Sequence, residues 1–101
     1  MINKFETVRV VARITARPDS IEELASLLLH VVEESRKENG CISYQLLQNK
    51  ADPADFTFVE EWASDSDIDA HFTTAHMQDA FSKAASLLAK KPDISRYSVI
   101  G

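Results

Sequence analysis

One stretch of the chain places a carboxylate among aromatic side chains. Successive side chains of a β-strand alternate between two faces, so residues 56–62 put Phe56, Phe58, Glu60 and Trp62 on one face. Burying a carboxylate costs free energy unless it has a partner. Because packing alone gives little reason for an acid at this position, Glu60 is a candidate functional residue.

His71 is the candidate partner of Glu60. It shares the apolar face of a predicted helix with Ile68 and Phe72, and packing of the aromatic strand face against that helix would bring Glu60 close. Tyr44, on the neighbouring strand, would complete an aromatic pocket that holds an acid and an imidazole. The alternative interpretation is structural: His71 is a packed, hydrogen-bonded histidine, and Glu60 only accepts hydrogen bonds from that histidine or from a tyrosine.

The other reactive side chains form no recognisable site. His76 follows His71 by five residues, roughly 140° around a helix, so the two lack the one-face spacing of a metal site. His30 falls on the solvated face of the first helix, and Cys41, with no basic neighbour, is predicted to be a small buried apolar residue and not a nucleophile. Glycine-rich phosphate loops, nucleophile elbows and zinc motifs are absent from the sequence. We therefore expect no metal and no cofactor.

Composition narrows the class of protein. The 101 residues, 45% apolar and 27% charged, predict a single domain over residues 1–101 with its core at about 6–100. A net charge of −5 offers a nucleic-acid backbone no overall attraction. The single cysteine fits a reducing compartment, and residues 1–6 have no apolar signal core. We expect a cytoplasmic protein that binds neither nucleic acid nor a membrane.

Periodicity predicts two helical regions. Ser20 and Glu23 have the spacing of a capping box for a first helix that runs to about residue 39 and ends at Gly40. Ser64 and Asp67 have the same spacing at the start of the second region. The apolar stripe of that region changes phase near residues 73–76, which predicts a break, and residues 90–92 (Lys-Lys-Pro) are predicted to end it.

Alternating, β-branched segments predict four strands, at residues 8–17, 41–49, 56–62 and 93–100. The resulting order β-α-β-β-α-β predicts an α+β, ferredoxin-like fold with an antiparallel sheet and both crossovers on one sheet face. The uncovered face carries Val11 and Val59, together with Leu47 or Val99. Burial of that face against a second subunit predicts a homodimer.

Three segments resemble the antibiotic biosynthesis monooxygenase domain family: residues 35–44 (SRKENGCISY), 58–62 (FVEEW) and 69–76 (DAHFTTAH). The resemblance extends over about residues 6–100. It implies a dimeric α+β barrel, in which two ferredoxin-like sheets pack together and each subunit has a pocket between its sheet and its helices. The positions that match the pocket of the family are Glu60, Trp62 and His71.

The resemblance implies a cofactor-free monooxygenase that oxidises a quinol or phenolic small molecule with O2. His71 and Glu60 would then be the catalytic acid–base pair, and Trp62, Tyr44 and Phe58 would bind a planar substrate. Two alternatives remain: an isomerase of a small phosphorylated signal metabolite, and a dimer that binds small molecules without catalysis. The haem-degrading branch is disfavoured, because the first strand lacks its asparagine and residues 77–81 lack its histidine.

Overall fold

A computed structural model describes residues 6–101. The expectation about the start of the chain concerns residues 1–6 and so lies largely outside the described range. Seven elements follow in order: β1 (Val8–Thr15), α1 (Ile21–Ser35), β2 (Cys41–Gln48), β3 (Asp55–Trp62), α2 (Asp65–Phe72), α3 (Ala75–Ala84) and β4 (Asp93–Ser98). Within residues 6–101, no helix is both long enough and apolar enough to cross a membrane.

The four strands form one antiparallel sheet in the order β2-β3-β1-β4. This arrangement confirms the predicted α+β, ferredoxin-like fold, with the second helical region divided into α2 and α3. The core lies between one sheet face and the helices, where Val10 and Ala12 of β1 meet apolar residues of α1 such as Leu24 and Leu28. The opposite sheet face carries Val11 opposite Val59.

The aromatic face of β3 is directed into this core. Phe56, Phe58, Glu60 and Trp62 alternate with partly exposed neighbours, and none of the four is more than 4% exposed. Register with β1 sets Val10 opposite Glu60. The predicted alternation is therefore confirmed, and the fold buries the acid together with its aromatic neighbours.

The first helix differs from the prediction at both ends. The Ser20 side chain makes no capping bond; its hydroxyl donates to Asp19 Oδ1 at 3.2 Å. The helix ends at Ser35 and not near residue 39, because the chain turns over residues 36–39 before it reaches Gly40. Gly40 has φ +84°, and the Asp67 side chain occupies the space that a Cβ would need. The turn therefore requires glycine there.

The last helix ends at Ala84, well before the predicted Lys90 and Lys91. Backbone groups that a longer helix would use pair instead with the end of β1: Arg17 donates to the Leu87 carbonyl, and Ala89 donates to that of Thr15, each at 2.9 Å. The strands β1 and β4 are each two residues shorter than predicted. A bulge between Cys41 and Ser43 interrupts the alternation of β2, and Ile42 is exposed although Tyr44, two residues later, is buried.

The predicted break in the second helical region is confirmed, and threonine stabilises it. Thr74 donates its hydroxyl hydrogen bond to the carbonyl of His71 at the end of α2 and accepts one from the Met77 amide at the start of α3. At the other end of α2, Ser64 accepts from the Asp67 amide, as the predicted capping box requires.

Candidate active site

A largely apolar cavity lies between the sheet and the helices. The space open to the centre of a water molecule is about 50 Å³, whereas one water needs roughly 10–15 Å³. Its wall is built from aliphatic and aromatic residues of β1, α1, β3, α2, α3 and β4 and of the segment before β4. Tyr44, Glu60 and His71 are the lining residues, among those described, whose side chains carry polar groups. The cavity thus combines an apolar wall with an acid, a phenol and an imidazole.

Glu60 is held by the aromatic residues around it. Trp62 donates its indole N–H to Glu60 Oε1 at 2.8 Å, and Glu60 is 4% exposed. Burial raises the pKa of Glu60 to about 7, although hydrogen bonds from Trp62 and Tyr44 oppose this rise. The carboxyl group therefore exchanges its proton near neutral pH.

Tyr44 packs against the other aromatic rings of the site. Its ring centroid lies 5.2 Å from that of Phe58, 5.7 Å from that of His71 and 6.2 Å from that of Trp62. Burial raises the pKa of the Tyr44 phenol, and the charge of Glu60 raises it further. Tyr44 is therefore a neutral hydroxyl near neutral pH.

His71 is 1% exposed and lies in the last turn of α2. Its Nδ1 lies 2.6 Å from Glu38 Oε2, and its ring centroid lies 4.7 Å from that of Trp62. Its Nε2 is buried and has no hydrogen-bond partner among residues 6–101. Burial lowers the pKa of His71, while the hydrogen bond with Glu38 opposes the decrease. The neutral ring can thus donate from Nδ1 and leave a lone pair on Nε2.

The structure pairs His71 with a different carboxylate from the predicted one. Within residues 6–101, no hydrogen bond or ion pair joins His71 to Glu60; both line the cavity, and Glu38 contacts the imidazole instead. Sequence reasoning missed Glu38 because it lies 33 positions before His71, in a segment predicted to be helix. Its place two residues before the turn-forming Gly40 was the signal that could have marked it.

The other predicted site residues divide into two groups. Phe58 and Tyr44 line the cavity as expected. Trp62 is fully buried behind the wall and is not one of the lining residues; it contacts Glu60 and His71.

Cys41 is half-buried, and burial raises the pKa of its thiol to about 11, which disfavours the nucleophilic thiolate.

The expectation that His71 and His76 lack the spacing of a metal site was wrong. The break between α2 and α3 turns both imidazoles toward one carboxylate, and His76 Nε2 lies 2.7 Å from Glu38 Oε2. The possible ligand atoms of Glu38, His71 and His76 lie within 4.8 Å of one another, a donor set that suits Zn²⁺ or Fe²⁺. Metal-bound imidazoles, however, usually donate their second N–H. Here His71 Nε2 and His76 Nδ1 are buried without a partner in residues 6–101, which fits two imidazole N–H groups that donate to Glu38 better than it fits a bound metal.

These features define a class of protein: a ferredoxin-like domain with a small apolar cavity that presents an oriented imidazole and an acid titrating near neutrality. Comparison with known families makes the assignment specific. The profile of the antibiotic biosynthesis monooxygenase family matches residues 7–83. This span includes Tyr44, Glu60, His71 and His76. The chain belongs to this family.

Individual relatives agree with this membership. The chain is 31% identical to the Bacillus subtilis protein named "Putative monooxygenase YcnE" over 84% of its own length and 90% of the relative. It is 33% identical to the uncharacterised Synechocystis protein sll1783 over 93% of its own length and spans 64% of that longer protein. A crystal structure of a conserved protein from Methanosarcina mazei superposes with a TM-score of 0.89 at 30% identity, covering 94% of each chain.

Proposed function

We propose that this protein is a cofactor-independent monooxygenase of an apolar quinol or phenol. The observation that carries the proposal is His71, a buried imidazole on the wall of an apolar cavity, with Nδ1 at a carboxylate and Nε2 without a partner in residues 6–101. An imidazole oriented in this way is a general base for a proton of a molecule in the cavity. Membership of a monooxygenase family supports the same reaction class.

The chemistry requires only a base because the substrate supplies the electrons. His71 Nε2 removes the phenolic proton, and the phenolate is a far stronger reductant of O2 than the phenol. In the overall reaction a quinol and O2 give a hydroxyquinone and water. One oxygen atom enters the ring, and the other leaves with the two hydrogens that the substrate loses. External reductant is therefore not needed.

Glu60 is proposed to act as the second proton-transfer group of the cavity. With a pKa raised to about 7 by burial, it can donate a proton to a reduced oxygen species and recover one near neutral pH. Phe58 and Tyr44 are proposed to contact the ring of the substrate, because both line the cavity. Trp62 is proposed to support Glu60 and His71 from behind the wall.

The isomerase alternative is disfavoured by charge. A phosphorylated substrate needs cationic or N–H groups around its phosphate, yet no described residue that lines the cavity is Lys or Arg, and Glu60 is an acid. A non-catalytic binding role uses the same apolar cavity and is separated from the monooxygenase by the experiment below.

We also propose that the protein is a homodimer built through the uncovered sheet face. Leu47 and Tyr97 on this face are 49% and 53% exposed, and Val11 lies opposite Val59 between them. Burial of such a face stabilises a small domain substantially. Light scattering should give about 22–23 kDa, twice the chain mass of 11.3 kDa, and Val59→Asp should give a monomer. A stable wild-type monomer at micromolar concentration would contradict this part of the proposal.

The test of the activity is oxygen uptake by chelator-treated protein over a panel of hydroquinones and anthrone-like phenols, with products analysed by mass spectrometry. Incorporation of one atom from ¹⁸O2 into the product is the expected result. Phenol binding with no oxygen uptake across the panel would establish a binding role instead. Conversion of a phosphorylated metabolite without oxygen consumption would establish the isomerase.

A further inference from the structure

His71 and His76 share one oxygen of Glu38. Glu38 lies in the turn after α1, His71 lies in the last turn of α2 and His76 lies in the first turn of α3. The Glu38 Oε2 atom is 2.6 Å from His71 Nδ1 and 2.7 Å from His76 Nε2. Distances this short are typical of hydrogen bonds to an ionised carboxylate.

The three members of this cluster differ in their position relative to the cavity. His71 lines it, whereas neither Glu38 nor His76 is among its lining residues. The side chains of Glu38 and His76 are 16% and 17% exposed, against 1% for His71. Glu38 and His76 therefore lie behind the imidazole that would contact a substrate and reach toward the surface.

We propose that His76 is a positioning residue that fixes Glu38 and, through Glu38, holds His71 as the tautomer with its proton on Nδ1. The inference rests on the proposed function, because only that tautomer leaves Nε2 free to accept a substrate proton. His76 would donate from Nε2 and anchor an oxygen that belongs to a partly exposed side chain in a turn. Without that second donor, Glu38 Oε2 is free to rotate away from His71 and hydrogen-bond to water.

The backbone explains why such an anchor is available. The break after Phe72 is held by Thr74, which bonds to the His71 carbonyl and to the Met77 amide. An uninterrupted helix would separate the two imidazoles by roughly 140°. The break instead brings the ring centroids of His71 and His76 to 5.8 Å, so both can reach one carboxylate.

The experiment records the tautomer directly by long-range ¹H–¹⁵N NMR of the imidazole nitrogens. In the wild type, His71 should show a protonated Nδ1 and an unprotonated Nε2. His76→Leu removes the donor and should give His71 shifts averaged between the two tautomers. It should also lower kcat for oxygen uptake roughly 10-fold or more, because a misplaced catalytic group is costly. His76→Gln keeps an N–H donor near the position of Nε2 and should restore both properties, and exposed His30→Leu should change neither.

The tautomer signal keeps this inference separate from the proposed function. If the wild type takes up no oxygen, the proposed monooxygenase activity is contradicted. If His76→Leu still loses the Nδ1-protonated signal of His71, the positioning role stands. A His71 signal unchanged in His76→Leu, or in His76→Ala should the first variant not fold, would overturn the inference. Stoichiometric Zn²⁺ binding that removes the Nδ1 proton in the wild type and is lost in His76→Leu would overturn it too, because the cluster would then be a metal site.

Discussion

Trp62 donates its indole N–H to Glu60 two positions earlier on the same strand face, with Nε1 2.8 Å from Oε1. The bond favours the carboxylate, while burial of the pair favours the neutral acid. The two effects leave the pKa of Glu60 at about 7. The strand β3 thereby holds a carboxyl group that exchanges its proton near neutral pH. The ionisation of Glu60 can be tested through the pH dependence of stability and through removal of its hydrogen bond from Trp62, and the proton transfers in the cavity can be tested through activity.

Glu60 should make the stability of the protein depend on pH. Because folding raises the pKa of Glu60 from 4.5 to about 7, the folded state binds more protons than the unfolded state between these values. The contribution of Glu60 to stability therefore falls as pH rises through that window, by roughly 3 kcal/mol at about 1.4 kcal/mol per pKa unit. Because the lowered pKa of His71 acts in the opposite direction, the loss should appear in urea unfolding at pH 4.5 and pH 8 as a difference between the wild type and Glu60→Gln. Glu60→Gln should lack it, and Glu33→Gln, at an exposed site, should keep it. Parallel pH dependence in the wild type and Glu60→Gln would contradict the assignment.

Trp62→Phe should raise the pKa of Glu60 further. The substitution keeps an apolar ring but removes the N–H that supports the carboxylate. The midpoint of the Glu60 titration, followed by ¹³C NMR of the side-chain carboxyl, should move to higher pH. Loss of a buried hydrogen bond should also destabilise the protein by about 1–3 kcal/mol. An unchanged midpoint would show that the indole contributes little to the ionisation of Glu60.

His71→Gln should remove the proposed base without removing hydrogen-bonding capacity. Loss of a general base lowers turnover by roughly 10²–10⁴-fold, so kcat for oxygen uptake should fall in that range. His30→Gln, on the exposed face of α1, is the matched control and should retain wild-type turnover. If His71→Gln keeps most of its turnover, the base is another group.

Filling the cavity should weaken ligand binding. Ala84 lines the cavity, whereas its neighbour Ala85 is exposed, so Ala84→Phe and Ala85→Phe form a matched pair. Binding of 2-naphthol, measured by calorimetry, should weaken about tenfold or more in Ala84→Phe, which corresponds to 1.4 kcal/mol. Ala85→Phe should bind like the wild type. Equal affinities in the two variants would place the ligand elsewhere.

Ser20 and Ser64 both have the sequence spacing of a capping box, but they should differ in their contribution to stability. Ser64 accepts the Asp67 amide hydrogen bond at 3.2 Å, whereas Ser20 makes no side-chain capping bond. Ser64→Ala should lower the free energy of unfolding by about 0.5–2 kcal/mol, and Ser20→Ala should lower it less. Chemical denaturation of both variants under one buffer condition provides the measurement. A larger loss for Ser20→Ala would contradict the capping geometry.

The sequence by itself determined the features that depend on local periodicity. Alternation along residues 56–62 predicted that Glu60 lies in a buried aromatic face, because strand geometry alone assigns side chains to faces. The order of strands and helices then predicted the ferredoxin-like sheet, since crossover handedness leaves few alternatives. The phase change near residues 73–76 predicted the break between α2 and α3 for the same local reason.

Only the tertiary structure decided which carboxylate meets the imidazole. Glu38 and His71 are 33 residues apart, and their contact depends on a turn that ends α1 early and on the break that reorients His76. Local patterns do not encode distances across the fold. The five-residue spacing of His71 and His76 places them on different sides of a continuous helix, whereas the break between α2 and α3 brings both imidazoles to Glu38 Oε2. The short last helix has a similar cause, because long-range pairing of residues 87–89 with the end of β1 outweighs the local preference for a longer helix.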